Sequence, residues 1–187
     1  MTNLVSNKKS RKRKRKKHLE EKFDELVVPE LLQCDDAETV DYVKAVVKAL
    51  QLGNGEVLLA VAWVTAEGRQ YHKRFPRVLG IDVKYGTNNE RRPLCRFVGK
   101  TGNNRNYSVM NCYMPSEQRY AYSWAIGQAL ASNLDKSSLA RTELLITDED
   151  QQQMDAISST IQMPESVFGK RAKKRGCKWH KVSKCAF

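Results

Sequence analysis

The chain has 187 residues, which is enough for one domain of ordinary size with a hydrophobic core, together with terminal segments. Of its 33 Lys and Arg residues, nine lie in residues 8–17 and eight in residues 170–184, which leaves 16 against 21 acidic residues elsewhere. The net charge of +12 therefore belongs to the two ends, and the body of the chain is mildly acidic. No run reaches the roughly 18–20 apolar residues of a membrane span, and no apolar stretch of a secretory signal follows the basic N-terminal run. These features exclude a membrane-spanning protein, and no membrane partner is expected.

Residues 1–20 are predicted to form a disordered basic tail, because a block so dense in like charge stays solvated. Such runs match both nuclear-import signals and nucleic-acid-binding arms. We therefore expect a nuclear protein that binds an import receptor, and a solubilising tail without a partner is the alternative. The candidate nucleic-acid contacts in this tail are Lys12, Arg13, Lys14 and Arg15.

Residues 21–70 are predicted to be an N-terminal segment made of a helix and a strand. The helix is expected over 36–52, because its apolar residues recur at helical spacing on one face. These residues are Val40, Val43, Val47 and Leu50. The strand is expected over 56–65, after the sequence Gly53-Asn54-Gly55.

The remaining elements are predicted over residues 71–187. Strands are expected at 78–82, 94–98, 107–114, 142–147 and 176–179, and helices at 116–134 and 149–161. Ser116 is the predicted cap of the first of these helices. Three strands followed by alternating helices and strands is the order of an α/β protein with an RNase H-like mixed sheet. In that fold the first strand and the fourth are neighbours.

Two of the predicted strands are hydrophobic runs that lead into an aspartate, Asp82 in one and Asp148 in the other. A carboxylate at the end of a buried strand is costly unless its charge is paired or binds a metal. Two such strands side by side would bring together carboxylates that are 66 residues apart, as in divalent-metal sites for phosphodiester chemistry. The alternatives are a strand-ending turn for Asp82 and helix capping for Asp148, and Asp150 would be the ligand if the strand ran longer.

Several motifs resemble those of the catalytic domain of Mutator-like element (MULE) transposases, over about residues 57–184. Residues 74–82, with Thr87-Asn88 and Arg92-Pro93-Leu94, are similar to the start of that domain. The other matching motifs are Tyr122-Ser123-Trp124 in the intervening helix, Ile146-Thr147-Asp148 with Ala156-Ile157 at the second aspartate, and the Cys-x-Trp-His segment Cys177-Lys178-Trp179-His180.

This resemblance implies an RNase H-like DNA transposase domain with an Asp-Asp-Glu triad. Asp82 and Asp148 would be its first two acids, binding Mg²⁺ or Mn²⁺, with DNA as the substrate. The family's glutamate lies beyond the Cys-x-Trp-His segment, and no glutamate follows Glu165. We therefore expect a C-terminally incomplete domain that is inactive by itself. Lys84 stands where the family carries a small hydroxyl residue, and its ammonium would compete with a cation for Asp82.

The basic stretch near the end of the chain supplies further candidates. Lys173, Lys174 and Arg175 are predicted to contact nucleic acid, with a solvated loop as the alternative. Cys177 and His180 are candidate metal or catalytic residues, although a structural zinc site needs four ligands. The five cysteines lack framework spacing and are expected to be reduced.

The alternative to a transposase fragment is a non-enzymatic nuclear nucleic-acid-binding protein derived from one, and a protein-interaction module is the third hypothesis. Each is compatible with an oligomer. Affinity for DNA that falls steeply with salt would separate the second hypothesis from the third.

Overall fold

The computed structural model describes residues 30–33, 44–52, 55–148 and 150–177, which form a mixed β-sheet with packed helices. The predicted α/β class is confirmed. The strands are β1 (Glu30–Gln33), β2 (Lys44–Leu52), β3 (Gly55–Val64), β4 (Val78–Lys84), β5 (Leu94–Lys100), β6 (Asn106–Tyr113), β7 (Leu144–Thr147) and β8 (Lys173–Gly176). The helices are α1 (Ala66–Arg74), α2 (Arg119–Ser123), a π-helical segment (Trp124–Ala129), α3 (Leu130–Asn133), α4 (Lys136–Leu139) and α5 (Gln151–Gln162).

The eight strands are arranged in the order β1-β2-β3-β6-β5-β4-β7-β8. All neighbours are antiparallel except β4 with β7 and β7 with β8, which are parallel. The strand that ends near Asp82 therefore lies beside the strand that precedes Asp148. Within the described ranges, no helix is long and apolar enough to cross a membrane.

The predicted helix over 36–52 is wrong for residues 44–52, which form β2, and residues 36–43 lie outside the described ranges. β2 pairs with β3 as far as Leu52 opposite Gly55, so the two strands form a hairpin. Only two residues, Gly53 and Asn54, connect them in the sequence, and such a glycine-containing pair favours a hairpin. Pairing with β1 and β3 outweighs the weak helical periodicity, because strand propensity depends on neighbouring strands.

Helix α1 was not predicted, although its start carries a recognisable cap. The Thr65 side chain accepts a hydrogen bond from the Gly68 backbone N–H at 3.0 Å, and Glu67 lies in the positively polarised first turn. Gly68 lets the helix approach β6 closely, since a Cβ at this position would lie 2.8 Å from the Ser108 carbonyl oxygen. The helix packs against β6 and leads the chain towards β4.

The helical segment predicted over 116–134 begins three residues later than expected. Its N-cap is Gln118, whose side chain makes no capping hydrogen bond, and its middle is π-helical. The prediction that Ser116 caps the helix is wrong, because its hydroxyl is hydrogen-bonded to the Tyr120 hydroxyl at 2.9 Å. The last strand is also displaced: β8 covers Lys173–Gly176 rather than 176–179, and residues 178–179 are outside the described ranges.

Alternation along the strands separates the hydrophobic core from the opposite face of the sheet. Leu79 and Ile81 of β4 and Leu145 of β7 are buried under the helices with Trp124 and Ile157. Residues of β4 and β7 at alternate positions point to the other face, because successive side chains of a strand project in opposite directions. That face contains Asp82 and Asp148, both half-buried. It also contains the half-buried Trp63, whose ring centroid lies 5.4 Å from that of Tyr113.

His72 of α1 is a buried imidazole whose charged form is disfavoured. The side chain is 1% exposed, and its Nε2 has no hydrogen-bond partner in the described part of the chain. Burial, with a smaller contribution from the positive charge of Arg141, lowers the pKa of His72 to about 4. The unfolded chain therefore takes up a proton near pH 6.5, before the folded protein does.

We expect this histidine to make the protein less stable in mild acid. Its contribution to stability is complete above pH 6.5 and is lost as the pH falls towards 4, by up to about 3 kcal/mol. Urea denaturation of the wild type and of His72→Gln at pH 7, 5.5 and 4.5 measures the effect. The free energy of unfolding should fall less steeply with acidification in the variant, and parallel pH profiles would contradict the assignment.

Candidate metal centre

The parallel pairing of β4 with β7 brings two aspartates together. Val78 pairs with Leu144, and Gly80 pairs with Ile146. Extending this register by two residues places Asp82 level with Asp148. Neighbouring strands are about 4.8 Å apart, and residues level with each other in parallel strands point to the same face. The two carboxylates, which the sequence analysis selected as ligands, are therefore neighbours at the carboxyl ends of adjacent strands.

Both aspartates line a cavity of about 470 Å³ on the face opposite the core. Its lining residues come from β4, β5, β6 and β7 and from the positions directly after β7 and β8: Val78, Gly80, Ile81, Asp82, Val98, Lys100, Asn106, Ile146, Thr147, Asp148 and Cys177. The negative charges also act on Cys95, whose pKa is raised first by burial and then by Asp82 and Asp148. Both carboxylates thus influence the same thiol, which agrees with their closeness in the sheet.

Asp150, rather than Asp148, caps the helix that follows β7. The Asp150 Oδ1 accepts a hydrogen bond from the Gln153 backbone N–H at 2.9 Å, at the start of α5. The capping alternative for Asp148 is therefore wrong. Asp148 receives only a long contact of 3.5 Å from the Thr147 hydroxyl among the described residues, so its carboxylate oxygens are available to a ligand.

Asp82 is opposite Arg96 of β5 in the antiparallel register, and Lys84 follows on the same face of β4. The ion pairs between described side chains are Arg77 with Glu143 and Arg92 with Glu90, and Asp82 belongs to neither. The expected pairing of Lys84 with Asp82 is therefore not among them. Lys84 is exposed at the end of the strand.

Glu117 is an acidic side chain near this site that the sequence analysis did not select. It follows β6, whose last residue Tyr113 pairs with Leu94 at the sheet edge where β4 ends. The Tyr122 hydroxyl donates a hydrogen bond to its carboxylate, yet burial, followed by the charges of Asp150 and Asp148, raises the pKa of Glu117. No local pattern could reveal this proximity, because Glu117 is separated from Asp148 by about 30 residues and approaches it only in the folded chain.

Two further motif residues stabilise the loop that follows Asp82. The Asn88 side chain donates to the Arg92 carbonyl oxygen at 2.8 Å and accepts from the Arg92 backbone N–H at 3.0 Å. The Arg92 guanidinium donates to the Leu59 carbonyl oxygen of β3 at 2.8 Å. These residues therefore anchor the loop between β4 and β5 to β3, which is separated from β5 by β6 in the sheet.

The three predicted nucleic-acid contacts in β8, Lys173, Lys174 and Arg175, do not all lie on the same face of the sheet. Lys173 and Arg175 pair with Leu144 and Ile146, so they lie on the face of Asp148. Lys174 points to the helical face, where its ammonium contacts the Ser158 hydroxyl and the Met154 carbonyl oxygen. All three side chains are exposed.

Cys177 lies directly beside the candidate site. Its backbone N–H donates to the Thr147 carbonyl oxygen, and the residue lines the cavity with both aspartates. His180 and the basic residues Lys12, Arg13, Lys14 and Arg15 are outside the described ranges. No three His, Cys, Asp or Glu side chains in those ranges are close enough to hold a metal ion, and His72 is buried in the core.

The different roles of Asp148 and Asp150 can be tested by stability measurements. Asp150→Ala removes the cap of α5 and should lower the free energy of unfolding by about 1 kcal/mol. Asp148→Ala should cost less, since it removes no capping bond and relieves repulsion from Asp82. Urea denaturation with EDTA present compares them. A greater loss for Asp148→Ala would show that Asp148 has the structural role.

Comparison with known proteins identifies the family. The model of the MULE transposase domain matches residues 78–184, which is more than half of the chain and includes Asp82, Asp148 and Cys177. No curated protein and no solved structure matches the chain significantly. The resemblance to MULE transposases that the sequence motifs indicated is confirmed, and the chain belongs to the MULE transposase family.

Proposed function

We propose that this domain supplies the first two metal-binding acids of a DNA transposase. Asp82 and Asp148 are the proposed ligands, and the proposed cations are Mg²⁺ or Mn²⁺. The observation that carries the proposal is the parallel pairing of β4 with β7, which places both aspartates at the carboxyl ends of neighbouring strands. Membership of the MULE family supports DNA transposition as the process.

The order of the strands supports an RNase H-like architecture for the catalytic part. β4, β5 and β6 form an antiparallel meander, the chain then passes through helices, and β7 returns beside β4 in the parallel direction. β8 extends the parallel side after α5. On this proposal, β1 to β3 are an N-terminal extension of the sheet.

The donor atoms suit the proposed cations. Mg²⁺ prefers oxygen ligands, keeps several waters and is often bound by only one or two carboxylates together with substrate phosphates. A pair of half-buried carboxylates outside the described ion pairs meets this requirement. Bound cations of this kind activate a water or a DNA 3′-hydroxyl and stabilise the leaving oxygen in phosphodiester chemistry.

The protein itself contributes position and charge. Paired strands hold the two aspartates in place, and residues on rigid elements keep ligand geometry better than residues on loops. The cap at Asp150 fixes the start of α5 without using the carboxylate of Asp148. The resemblance to the family implies a glutamate as a third acid, so the proposal assigns metal binding, rather than turnover, to these two residues.

We further propose that DNA is the partner of the domain and that residues 8–17 direct it into the nucleus. Nine of those ten residues are Lys or Arg, and they lie outside the described ranges. The described site adds a reason for a nucleic-acid substrate, since a carboxylate pair of this type is suited to phosphodiesters.

Metal binding gives the direct test of this function. Asp82→Asn and Asp148→Asn should each weaken Mn²⁺ binding by about tenfold or more, because even substitutions around metal ligands typically cost 10–100-fold. Electron paramagnetic resonance of free Mn²⁺ measures the affinity. Asp155→Asn is the matched control, since Asp155 lies on α5 and accepts a hydrogen bond from Gln151 at 2.8 Å.

The control variant should bind Mn²⁺ like the wild type. Equal affinity in all four proteins would overturn the metal centre. That result would favour the alternative of a non-enzymatic nucleic-acid-binding protein derived from a transposase.

A further inference from the structure

A second and larger cavity, of about 840 Å³, lies at the opposite end of β4 from Asp82. It is formed where β4 and β7 begin, by the end of α1, the loop after β5 and the segments before β7 and β8. Its lining residues are Arg74, Phe75, Pro76, Arg77, Val78, Lys100, Thr101, Gly102, Asn104, Ala140, Arg141, Thr142, Glu143, Gly169, Lys170 and Arg171. We call it the basic cavity.

The charge of this lining is strongly one-sided. Six of the lining side chains are Lys or Arg, and the one acid is Glu143. The Arg77 guanidinium donates to the Glu143 carboxylate at 2.8 and 3.1 Å, and this hydrogen bond lowers the pKa of Glu143. The acid is thus neutralised by one arginine, and five positive charges remain in excess in a chain whose body is mildly acidic.

The wall of the basic cavity is held by contacts between segments distant in sequence. The Arg141 guanidinium donates to the Lys73 carbonyl oxygen at 2.7 Å, and the Thr142 hydroxyl donates to the Pro76 carbonyl oxygen at 3.1 Å. Gly169 allows its loop to approach α4, since a Cβ there would lie 2.2 Å from the Ala140 carbonyl oxygen. These contacts position the next two residues of the loop, Lys170 and Arg171, whose side chains are exposed.

The basic cavity adjoins the candidate metal centre. Val78 and Lys100 line both cavities, so the two form a continuous surface along β4 and β5. β4 advances four residues from Val78 to Asp82, which corresponds to about 13 Å at the usual rise of a strand. Duplex DNA rises about 3.4 Å per base pair, so this distance spans about four base pairs.

We propose that the basic cavity binds the phosphate backbone of duplex DNA at least about four base pairs from the phosphodiester at Asp82 and Asp148. The identity of the ligand rests on the proposed function, because a site that acts on DNA needs a surface that holds it. Guanidinium and ammonium groups are the usual partners of phosphate oxygens, and such contacts position the duplex without reading its sequence. Arg74, Lys170 and Arg171 are the proposed contacts.

The test measures binding of the full chain to a fluorescently labelled duplex by anisotropy, in EDTA and over a range of salt concentrations. The variant Lys170→Gln/Arg171→Gln removes two charges from the basic cavity. The control Arg119→Gln/Lys136→Gln removes two exposed charges from α2 and α4, which contribute no residue to the lining of the basic cavity. Both variants keep residues 8–17, so the contribution of the basic tail is the same in each. Thermal denaturation verifies that both are folded.

Loss of two phosphate contacts should lower the slope of log K against log salt by about 1.8 and weaken binding at 0.1 M salt by about tenfold or more. The control should resemble the wild type. Equal DNA binding by the two double variants would overturn the proposal, as would equally effective competition by single-stranded RNA or an acidic peptide. EDTA removes divalent cations, so this assay measures DNA binding without the metal centre. The DNA-binding proposal can therefore be overturned while Mn²⁺ binding at Asp82 and Asp148 is confirmed, and the reverse can also occur.

Discussion

The parallel pairing of β4 with β7 is the constraint on which the site depends. Asp82 and Asp148 lie 66 residues apart in the sequence and become neighbours only because the chain returns from the helices beside β4 in the same direction. A parallel neighbour requires such a long crossover connection. The same pairing directs Leu79 and Leu145 into the core. The register that buries these apolar side chains therefore also places the two carboxylates on the opposite face.

Three aspartates lie at this edge of the sheet and have different roles: Asp150 caps a helix, whereas Asp82 and Asp148 are neighbouring carboxylates. Asp150 stabilises α5 through its cap. Burial raises the pKa of Cys95, and the charges of Asp82 and Asp148 raise it further. Like charges held close together reduce stability unless a cation or a proton intervenes. Burial, followed by the charges of Asp150 and Asp148, also raises the pKa of Glu117. Functional sites often retain such destabilising arrangements.

The two ends of β4 have opposite electrostatic character. The carboxylates stand at its C-terminal end, and the basic cavity surrounds its N-terminal end. For a polyanionic substrate, this polarity separates the region that holds the backbone from the region that binds cations. In the sequence, the excess of basic residues lies at the two ends of the chain. The basic cavity shows that the folded domain also carries a local concentration of positive charge.

The sequence by itself determined the strands around the site, the two aspartates and the family, because each is recorded in local alternation, in a strand-ending residue or in a motif. Helix α1 has a local start signal in its Thr65 cap, and β2 has a local hairpin signal in the residues Gly53-Asn54 that follow it, although the apolar spacing of β2 resembles that of a helix. Only the tertiary structure decided that Asp150 caps α5, that Glu117 approaches Asp148, and that Arg74, Lys100 and Arg171 share one cavity. Periodicity reports which face of an element is buried, whereas distances between remote segments are set by strand pairing and loop packing, which no local pattern contains.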